Sequence, residues 1–204
     1  MSATPADGTP PPEALGTPVV PAVPIVNIAN ILTVTRLVLV PVFLLALFVD
    51  DGQSTSWRLG AFLVFCIASI TDHIDGKLAR KLDLVTDFGK VVDPIADKAL
   101  TGAALFGLSA LGELPWWVTL TIAGREILVT LLRFWVIRYG VIAASYGGKV
   151  KTFAQIIAIG MYLLPLPSVF DPVLWAGMAI ALGLTVITGL DYVVRAVRLR
   201  ATRG

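Results

Sequence analysis

The stretch NILTVTRLVLVPVFLLALFV, residues 30–49, is apolar along almost its whole length, with Arg36 as its single charged residue. A helix needs about 20 such residues to cross the hydrocarbon of a bilayer. The rest of the chain has the same character: 56% of its 204 residues are hydrophobic, 15% are charged and the mean hydropathy is +0.84. A soluble domain of this size carries more charge and shorter apolar runs. The composition therefore predicts a helical protein that crosses the membrane several times.

Six apolar segments predict an all-α integral membrane bundle of six transmembrane helices. The predicted spans are residues 30–49, 57–78, 92–111, 115–137, 152–166 and 172–194. The fifth is short for a complete crossing. None has the period-two alternation of a transmembrane β-strand, so we expect helices only.

The predicted membrane domain, residues 27–198, lies between two segments of different composition. Residues 1–26 hold seven of the 13 prolines and no basic residue, which predicts a disordered Pro-rich tail and not a signal peptide. Residues 199–204 form a basic C-terminal tail. The single cysteine, Cys66, excludes an internal disulfide.

The basic residues predict the orientation of the bundle. If the N-terminus is cytoplasmic, residues 50–56, 112–113 and 167–171 face outwards, and Arg58 is the one Lys or Arg among the 16 that lies near them. The others fall on the cytoplasmic side or within its reach. Because Lys and Arg accumulate on the cytoplasmic side of membrane proteins, we expect both termini there.

Four aspartates lie at the cytoplasmic ends of the second and third predicted spans. Asp72 and Asp75 are three residues apart, and Asp93 and Asp97 are four residues apart. Residues at these spacings lie on the same face of a helix, so each pair shares a face. Asp93-Pro94 resembles a cap followed by a first-turn proline, which predicts a helix start there. Two antiparallel helices with a short connection would bring the four carboxylates to one point.

Four carboxylates at one point would repel one another, and divalent cations would compensate them. Ligand sets of oxygen alone favour Mg²⁺ or Mn²⁺ over zinc. Two such ions form the clamp used in phosphoryl transfer, and Arg80 could add positive charge for a phosphate. The alternative is that the aspartates form interfacial salt bridges with nearby Lys and Arg. Because acids inside membranes are usually functional, we favour the metal site.

The same residues resemble the signature of the CDP-alcohol phosphatidyltransferase family at all eight fixed positions. The matching pattern is Asp72-x2-Asp75-Gly76-x2-Ala79-Arg80-x8-Gly89-x3-Asp93-x3-Asp97. The resemblance implies a six-span fold, a homodimer and two divalent metal ions that hold the pyrophosphate of a CDP-lipid. It also implies that Asp97 is the general base. The CDP contacts that it implies are Asp72, Gly76, Ala79 and Arg80.

The segment NIANILTVTR, residues 27–36, places Asn30, Thr33 and Arg36 on one helix face near the cytoplasmic edge. A helix cap with a snorkelling arginine would explain these residues without a ligand. The segment also resembles the opening of bacterial family members that use glycerol 3-phosphate as acceptor. Asn30 and Thr33 are therefore candidate CDP contacts, and Arg36 is a candidate contact for the acceptor phosphate.

Two further segments carry basic residues that suit a phosphorylated acceptor. GREILVTLLR places Arg125 and Arg133 about 12 Å apart within the fourth span, with Glu126 as a possible partner. GGKVKTFAQ opens the fifth span with Lys149 and Lys151. Both segments resemble the same glycerol 3-phosphate-using members. Simple anchoring at the cytoplasmic surface is the alternative for the two lysines.

These patterns predict a divalent-metal-dependent enzyme of bacterial phospholipid biosynthesis in the cell membrane. It would transfer a phosphatidyl group from CDP-diacylglycerol to glycerol 3-phosphate and release CMP, with its site at the cytoplasmic face and no nucleic-acid partner. The same chemistry with another acceptor would give a phosphatidylinositol phosphate synthase or a cardiolipin synthase. A cation transporter would need polar groups in the outer halves of the spans, which are almost wholly apolar.

Overall fold

The structure, a computed structural model, describes residues 28–81, 87–136 and 146–203, so the predicted tail of residues 1–26 lies outside it. Side chains are described throughout except at 28–29, 72–81, 87–94, 97, 133–134, 136, 146 and 202–203. The described residues form six α-helices and two short 3₁₀ turns, without a strand. The helices are α1 Ile28–Phe48, α2 Thr55–Lys81, α3 Asp87–Ala110, α4 Trp116–Val136, α5 Tyr146–Leu163 and α6 Asp171–Arg203, and the turns are Val49–Gly52 and Ser168–Phe170.

The all-α prediction is confirmed for the described residues, and each helix overlaps one predicted span. Two helices extend beyond the apolar segments that predicted them. α5 begins at Tyr146 and therefore includes Lys149 and Lys151, and α6 continues to Arg203, so residues 199–203, with Arg200 and Arg203, prolong the last helix. Hydropathy marks only the apolar part of a helix, and at the end of α6 good helix formers such as Arg, Ala and Leu continue the helix into the polar region.

Three connections meet at one end of the bundle, which we call the loop end: residues 49–54, 111–115 and 164–170. Arg58 joins them, because its guanidinium donates to Gly52 O at 3.4 Å, to Glu113 Oε2 at 2.8 Å and to Leu163 O at 3.4 Å. The opposite end holds the C-terminus of α2 and the N-terminus of α3. We call it the aspartate end.

A left-handed backbone segment reverses the chain between α1 and α2. Asp50 and Asp51 have a φ of 51° and Gly52 a φ of 74°. A Cβ at Gly52 would also come within 2.7 Å of Leu111 Cδ1. Glycine is favoured at this position by its positive φ, and any side chain there would also have to displace the end of Leu111.

Close packing holds α1 at the centre of one half of the bundle, against α2 and α3, whereas α6 packs against α4 and α5. The rings of Phe43 in α1 and Phe65 in α2 have centroids 6.1 Å apart. Leu47 lies so close to α3 that a Cβ at Gly107 would be 2.6 Å from its Cδ2. Lipid removes the hydrophobic drive between membrane helices, so such close van der Waals contacts hold them together.

The outer surface of the bundle is apolar. Leu45 of α1, Leu120 of α4 and Ile187 of α6 are each more than half exposed. Within the described residues, two helical segments, 30–52 and 168–201, are long and apolar enough to cross a membrane, and only 28% of the apolar window in each is buried. A core helix of a soluble protein would be mostly buried, and soluble monomers rarely expose apolar surface on this scale. The chain is a membrane protein.

Candidate active site

Helical backbone runs through all four aspartates predicted to bind metal. Asp72 and Asp75 lie in α2, and Asp93 and Asp97 lie in α3. The helical spacing that underlies the predicted shared faces is therefore confirmed. Their side chains lie outside the described residues, so the convergence of the carboxylates stays a prediction.

The predicted helix start at Asp93-Pro94 is wrong, because α3 already begins at Asp87. A proline inside a helix forfeits its own backbone hydrogen bond and crowds the carbonyl one turn earlier. Membrane helices tolerate this loss more readily than soluble ones. Asp93 and Asp97 consequently occupy successive turns inside a helix.

A charged cluster begins at Lys98, the residue after Asp97. Glu126 Oε2 accepts a hydrogen bond from Lys98 Nζ at 2.9 Å. Its Oε1 accepts from Lys151 Nζ and, at 3.0 Å, from Arg125 Nη1. One carboxylate of α4 thus holds three cations from α3, α4 and α5, which confirms Glu126 as a partner for a basic residue of its span. We call Lys98, Arg125, Glu126 and Lys151 the cationic cluster.

Polar groups of α6 fix the arginine of this cluster. Arg125 Nε donates to Thr185 O at 3.1 Å and Nη2 donates to Thr188 Oγ1 at 2.9 Å. A Cβ at Gly189 would lie 3.0 Å from Arg125 Cγ, so the arginine runs across the bare backbone of α6. Gln155 of α5 donates to Thr185 Oγ1 at 2.9 Å. α5 and α6 therefore hold Arg125 in one position.

The cationic cluster carries more positive than negative charge. Three cations share one carboxylate, which leaves two positive charges uncompensated within the cluster. Lys151 is only 4% exposed, and a buried cation is stable only when it is well paired. A phosphate monoester, which carries about −1.5 to −2 charge at neutral pH, would balance the excess. The charge of the cluster therefore suits a small phosphorylated molecule.

The structure brings some of the predicted acceptor residues together and separates others. Arg125 and Lys151 meet at Glu126. Lys149 is exposed, whereas Lys151 is buried, because two positions along a helix differ in direction by about 200°. Arg36 is buried on α1, on the same side of the helix as two predicted CDP contacts, Asn30 and Thr33.

Four other candidates lie on the helical backbone of α2 and α4. Gly76, Ala79 and Arg80 belong to α2, and Arg133 belongs to α4. The surroundings of all four lie outside the described residues. Their roles stay predictions.

Sequence reasoning missed Lys98, Gln155, Thr185 and Thr188 as parts of this site. One signal was available for Gln155, which follows Lys151 by one helical turn within an otherwise apolar stretch. Lys98 is one of the nearby Lys and Arg that the sequence offers as salt-bridge partners of the aspartates, and it carried no signal for a phosphate site. The threonines carried no signal, because a hydroxyl in an apolar helix usually bonds to the carbonyl four residues back, as Thr185 also does to Ala181 O at 2.6 Å.

Comparison with known proteins gives one family and several relatives. Residues 26–187 match the family model described as CDP-alcohol phosphatidyltransferase. A protein of Mycobacterium tuberculosis named probable phosphatidylglycerophosphate synthase is 58% identical over 167 residues, which are 82% of this chain and 80% of that protein. Two proteins named CDP-diacylglycerol–glycerol-3-phosphate 3-phosphatidyltransferase are also similar. The one from Bacillus subtilis is 39% identical over 79% of this chain and 90% of its own length. The one from Escherichia coli K12 is 38% identical over 77% of this chain and 86% of its own length.

Proposed function

Because the chain belongs to the CDP-alcohol phosphatidyltransferase family, we propose that it transfers the phosphatidyl group of CDP-diacylglycerol to glycerol 3-phosphate. The products would be phosphatidylglycerophosphate and CMP. The names of the similar Bacillus subtilis and Escherichia coli proteins support this acceptor. The observation in the structure that carries the choice is the cationic cluster, whose excess of two positive charges suits a phosphate monoester.

We propose that six transmembrane helices cross a bacterial cell membrane with both termini in the cytoplasm. The distribution of basic residues supports this orientation. Arg58 is the basic residue near the loop end, whereas the last turns of α6, at the other end, carry exposed Arg195, Arg198 and Arg200. The aspartate end would then face the cytoplasm. There it can take up water-soluble glycerol 3-phosphate while CDP-diacylglycerol keeps its acyl chains in the bilayer.

The donor set at the aspartate end suits two divalent cations. Asp72, Asp75, Asp93 and Asp97 offer only carboxylate oxygens, which Mg²⁺ and Mn²⁺ prefer, and each pair lies at helical spacing. We assign these four residues as the ligands of two Mg²⁺ or Mn²⁺ ions. When bound, such ions would neutralise the pyrophosphate and favour the departure of CMP.

The side chains of the protein would orient both substrates and move one proton. Asp97 would accept the proton of the acceptor hydroxyl, whose oxygen attacks the lipid-linked phosphorus. A carboxylate is a weak base at neutral pH, so its contribution depends mainly on its position. We assign the CDP contacts to Asn30, Thr33, Asp72, Gly76, Ala79 and Arg80.

The acceptor phosphate would bind in the cationic cluster. Its oxygens would compete with Glu126 for Lys98 and Lys151, whereas Arg125 stays fixed by its hydrogen bonds to α6. Lys98 directly follows Asp97, so a phosphate held there would lie beside the helix that carries the proposed base. Arg36, Arg133 and Lys149 would supply a wider basic field.

An acceptor panel tests the proposed reaction. Membranes that contain the protein would receive CDP-diacylglycerol, Mg²⁺ and one radiolabelled acceptor: glycerol 3-phosphate, inositol phosphate or phosphatidylglycerol. We expect phosphatidylglycerophosphate from the first and no product from the others. Use of inositol phosphate would overturn the acceptor and keep the mechanism. Use of phosphatidylglycerol, a phosphodiester with a single negative charge, would also refute the charge argument.

We also propose a homodimer, as the family resemblance implies. Mass photometry of the purified chain in lipid nanodiscs would measure the number of chains in each particle. We expect two chains, and single chains throughout would contradict the proposal.

A further inference from the structure

Glu126 is the one acidic residue of the cationic cluster, and its carboxylate occupies the groups proposed to bind the acceptor phosphate. Its Oε2 accepts from Lys98 Nζ at 2.9 Å, and its Oε1 accepts from Arg125 Nη1 at 3.0 Å and from Lys151 Nζ. The N–H bonds that make these contacts are not open to a ligand until the carboxylate withdraws. Three cations without a carboxylate would attract phosphate more strongly, so the presence of Glu126 requires an explanation.

Glu126 and Lys98 are accessible from outside the cluster, whereas Lys151 is buried. The side chains of Lys98 and Glu126 are 35% and 19% exposed. That of Lys151 is almost fully enclosed. A phosphate that arrives from solution would therefore contact Lys98 and Glu126 before Lys151. It would reach Lys151 only after the carboxylate has moved.

Glu126 compensates the two lysines when no ligand is bound. A buried cation that loses its partner destabilises the protein, and Lys151 is such a buried cation. Arg125 depends less on Glu126, because it also donates to Thr185 O at 3.1 Å and to Thr188 Oγ1 at 2.9 Å. A phosphate would therefore replace Glu126 at the lysines, while α6 continues to hold the arginine in place.

The acceptor phosphate is chemically unchanged by the proposed reaction. The acceptor hydroxyl oxygen bonds to the lipid phosphorus, the bond from that phosphorus to CMP breaks, and the hydroxyl proton passes to Asp97. Phosphatidylglycerophosphate therefore carries into the product the same phosphate monoester that the cluster bound in the acceptor. Binding that is equal before and after the chemical step lowers KM without raising kcat, and tight binding of the product slows its release.

We propose that Glu126 promotes release of the product by competing with its phosphate for Lys98 and Lys151. This role rests on the proposed function, because it requires the same phosphate monoester in acceptor and product. A carboxylate attached to α4 is always close to the lysines and therefore competes at a high effective concentration. Its return to the lysines restores the compensated, empty cluster for the next acceptor.

Steady-state kinetics of Glu126→Gln test this role, since glutamine has the size of glutamate but cannot compete as an anion. The KM for glycerol 3-phosphate should fall by about tenfold, the effect of one hydrogen bond to a charged group. The kcat should also fall, because the product leaves more slowly. A structural role alone predicts the opposite change in KM, because displaced lysines would bind phosphate less well. A KM that is unchanged or higher, or a lower KM with an undiminished kcat, would overturn the proposal.

Rapid-quench measurement of CMP identifies the slow step. In Glu126→Gln, CMP should form in an initial burst that approaches about one per chain, followed by slower turnover, because the chemical step precedes the slow release. The burst should be smaller in the wild type. A linear time course in the variant would mean that release does not limit its turnover, and the proposal would fail.

Two further variants separate the charge of Glu126 from a general loss of stability. Glu126→Asp keeps the charge and shortens the side chain by one methylene, so KM and kcat should both fall, but less than in Glu126→Gln. This variant carries the test if glutamine prevents folding, and unchanged constants would then refute the role. Glu113→Gln is the matched control, because it removes the carboxylate that pairs with Arg58 at the loop end. It should leave both constants unchanged, and a fall in both would refute a role specific to Glu126.

The wild type separates failure of this role from failure of the proposed function. If it forms no phosphatidylglycerophosphate from glycerol 3-phosphate, the proposed function is wrong. If it forms this product and Glu126→Gln leaves KM and kcat unchanged, the function stands and the role of Glu126 in product release is wrong.

Discussion

Glu126→Gln should destabilise the protein, and glycerol 3-phosphate should restore part of the lost stability. The substitution keeps the size of the side chain and removes the one carboxylate that pairs with Lys98, Arg125 and Lys151. Removal of one partner from a buried ion pair costs about 3–5 kcal/mol. Lys98 is partly exposed, so the lower end of that range, about 3 kcal/mol, is expected.

The restoring effect follows from charge. The variant has three cations with no counter-ion in the cluster, so a phosphate dianion, which no longer competes with Glu126, should bind it more tightly than it binds the wild type. Ligand at about 100 times its Kd stabilises a protein by about 2.7 kcal/mol. Saturating glycerol 3-phosphate should therefore recover most of the loss, as measured by thermal unfolding of the purified chain with and without this ligand.

Glu113→Gln is the matched control for this experiment. It also removes a carboxylate from a largely buried arginine, Arg58, but at the loop end. It should destabilise the protein, and glycerol 3-phosphate should raise its Tm only as much as it raises the Tm of the wild type. Equal protection of both variants, or of neither, would refute the assignment of the acceptor phosphate to the cationic cluster.

Three further substitutions, one with a matched control, test other parts of the site by steady-state kinetics. Lys151→Gln should raise the KM for glycerol 3-phosphate by about tenfold or more, because a hydrogen bond between charged groups is lost. Lys149→Gln is the control and should change this KM little. Equal effects of the two substitutions would count against the cluster. Gly189→Ala should raise the same KM by about fivefold, because its Cβ would lie 3.0 Å from Arg125 Cγ and displace the arginine by a few tenths of an ångström. The Tm should not fall, because alanine favours the helix. An unchanged KM would show that the position of Arg125 is unimportant. Asp97→Asn should abolish turnover and leave Tm intact, and a variant that retains most of its activity would remove Asp97 as the base.

The fold was largely predictable from the sequence because apolar length carries most of the information in a membrane helix. Residues 30–49 predicted α1 almost to its ends, since its polar residues are few and lie at the N-terminal side. The early start of α5 was not predictable from hydropathy, because Gly147 and Lys149 lower the local average while the backbone remains helical. Helices end according to backbone hydrogen bonding, and apolar character only approximates those ends.

The candidate site was predictable where spacing along one helix carried the information. The helical spacing of Asp72 with Asp75 and of Asp93 with Asp97 could be read directly. The cationic cluster could not, because it brings Lys98, Glu126 and Lys151 together from three helices. Contacts between helices depend on packing geometry, which no spacing within one segment reveals. Basic residues therefore identified the kind of ligand, and only the structure separated Lys151 from Lys149.

Product analysis with the purified chain tests the central claim most directly. The chain would be incubated with CDP-diacylglycerol and glycerol 3-phosphate, with Mg²⁺ or with EDTA, and CMP and phosphatidylglycerophosphate would be quantified together. We predict equal amounts of the two products with Mg²⁺ and neither with EDTA. Release of CMP without phosphatidylglycerophosphate, or full activity in EDTA, would contradict the account.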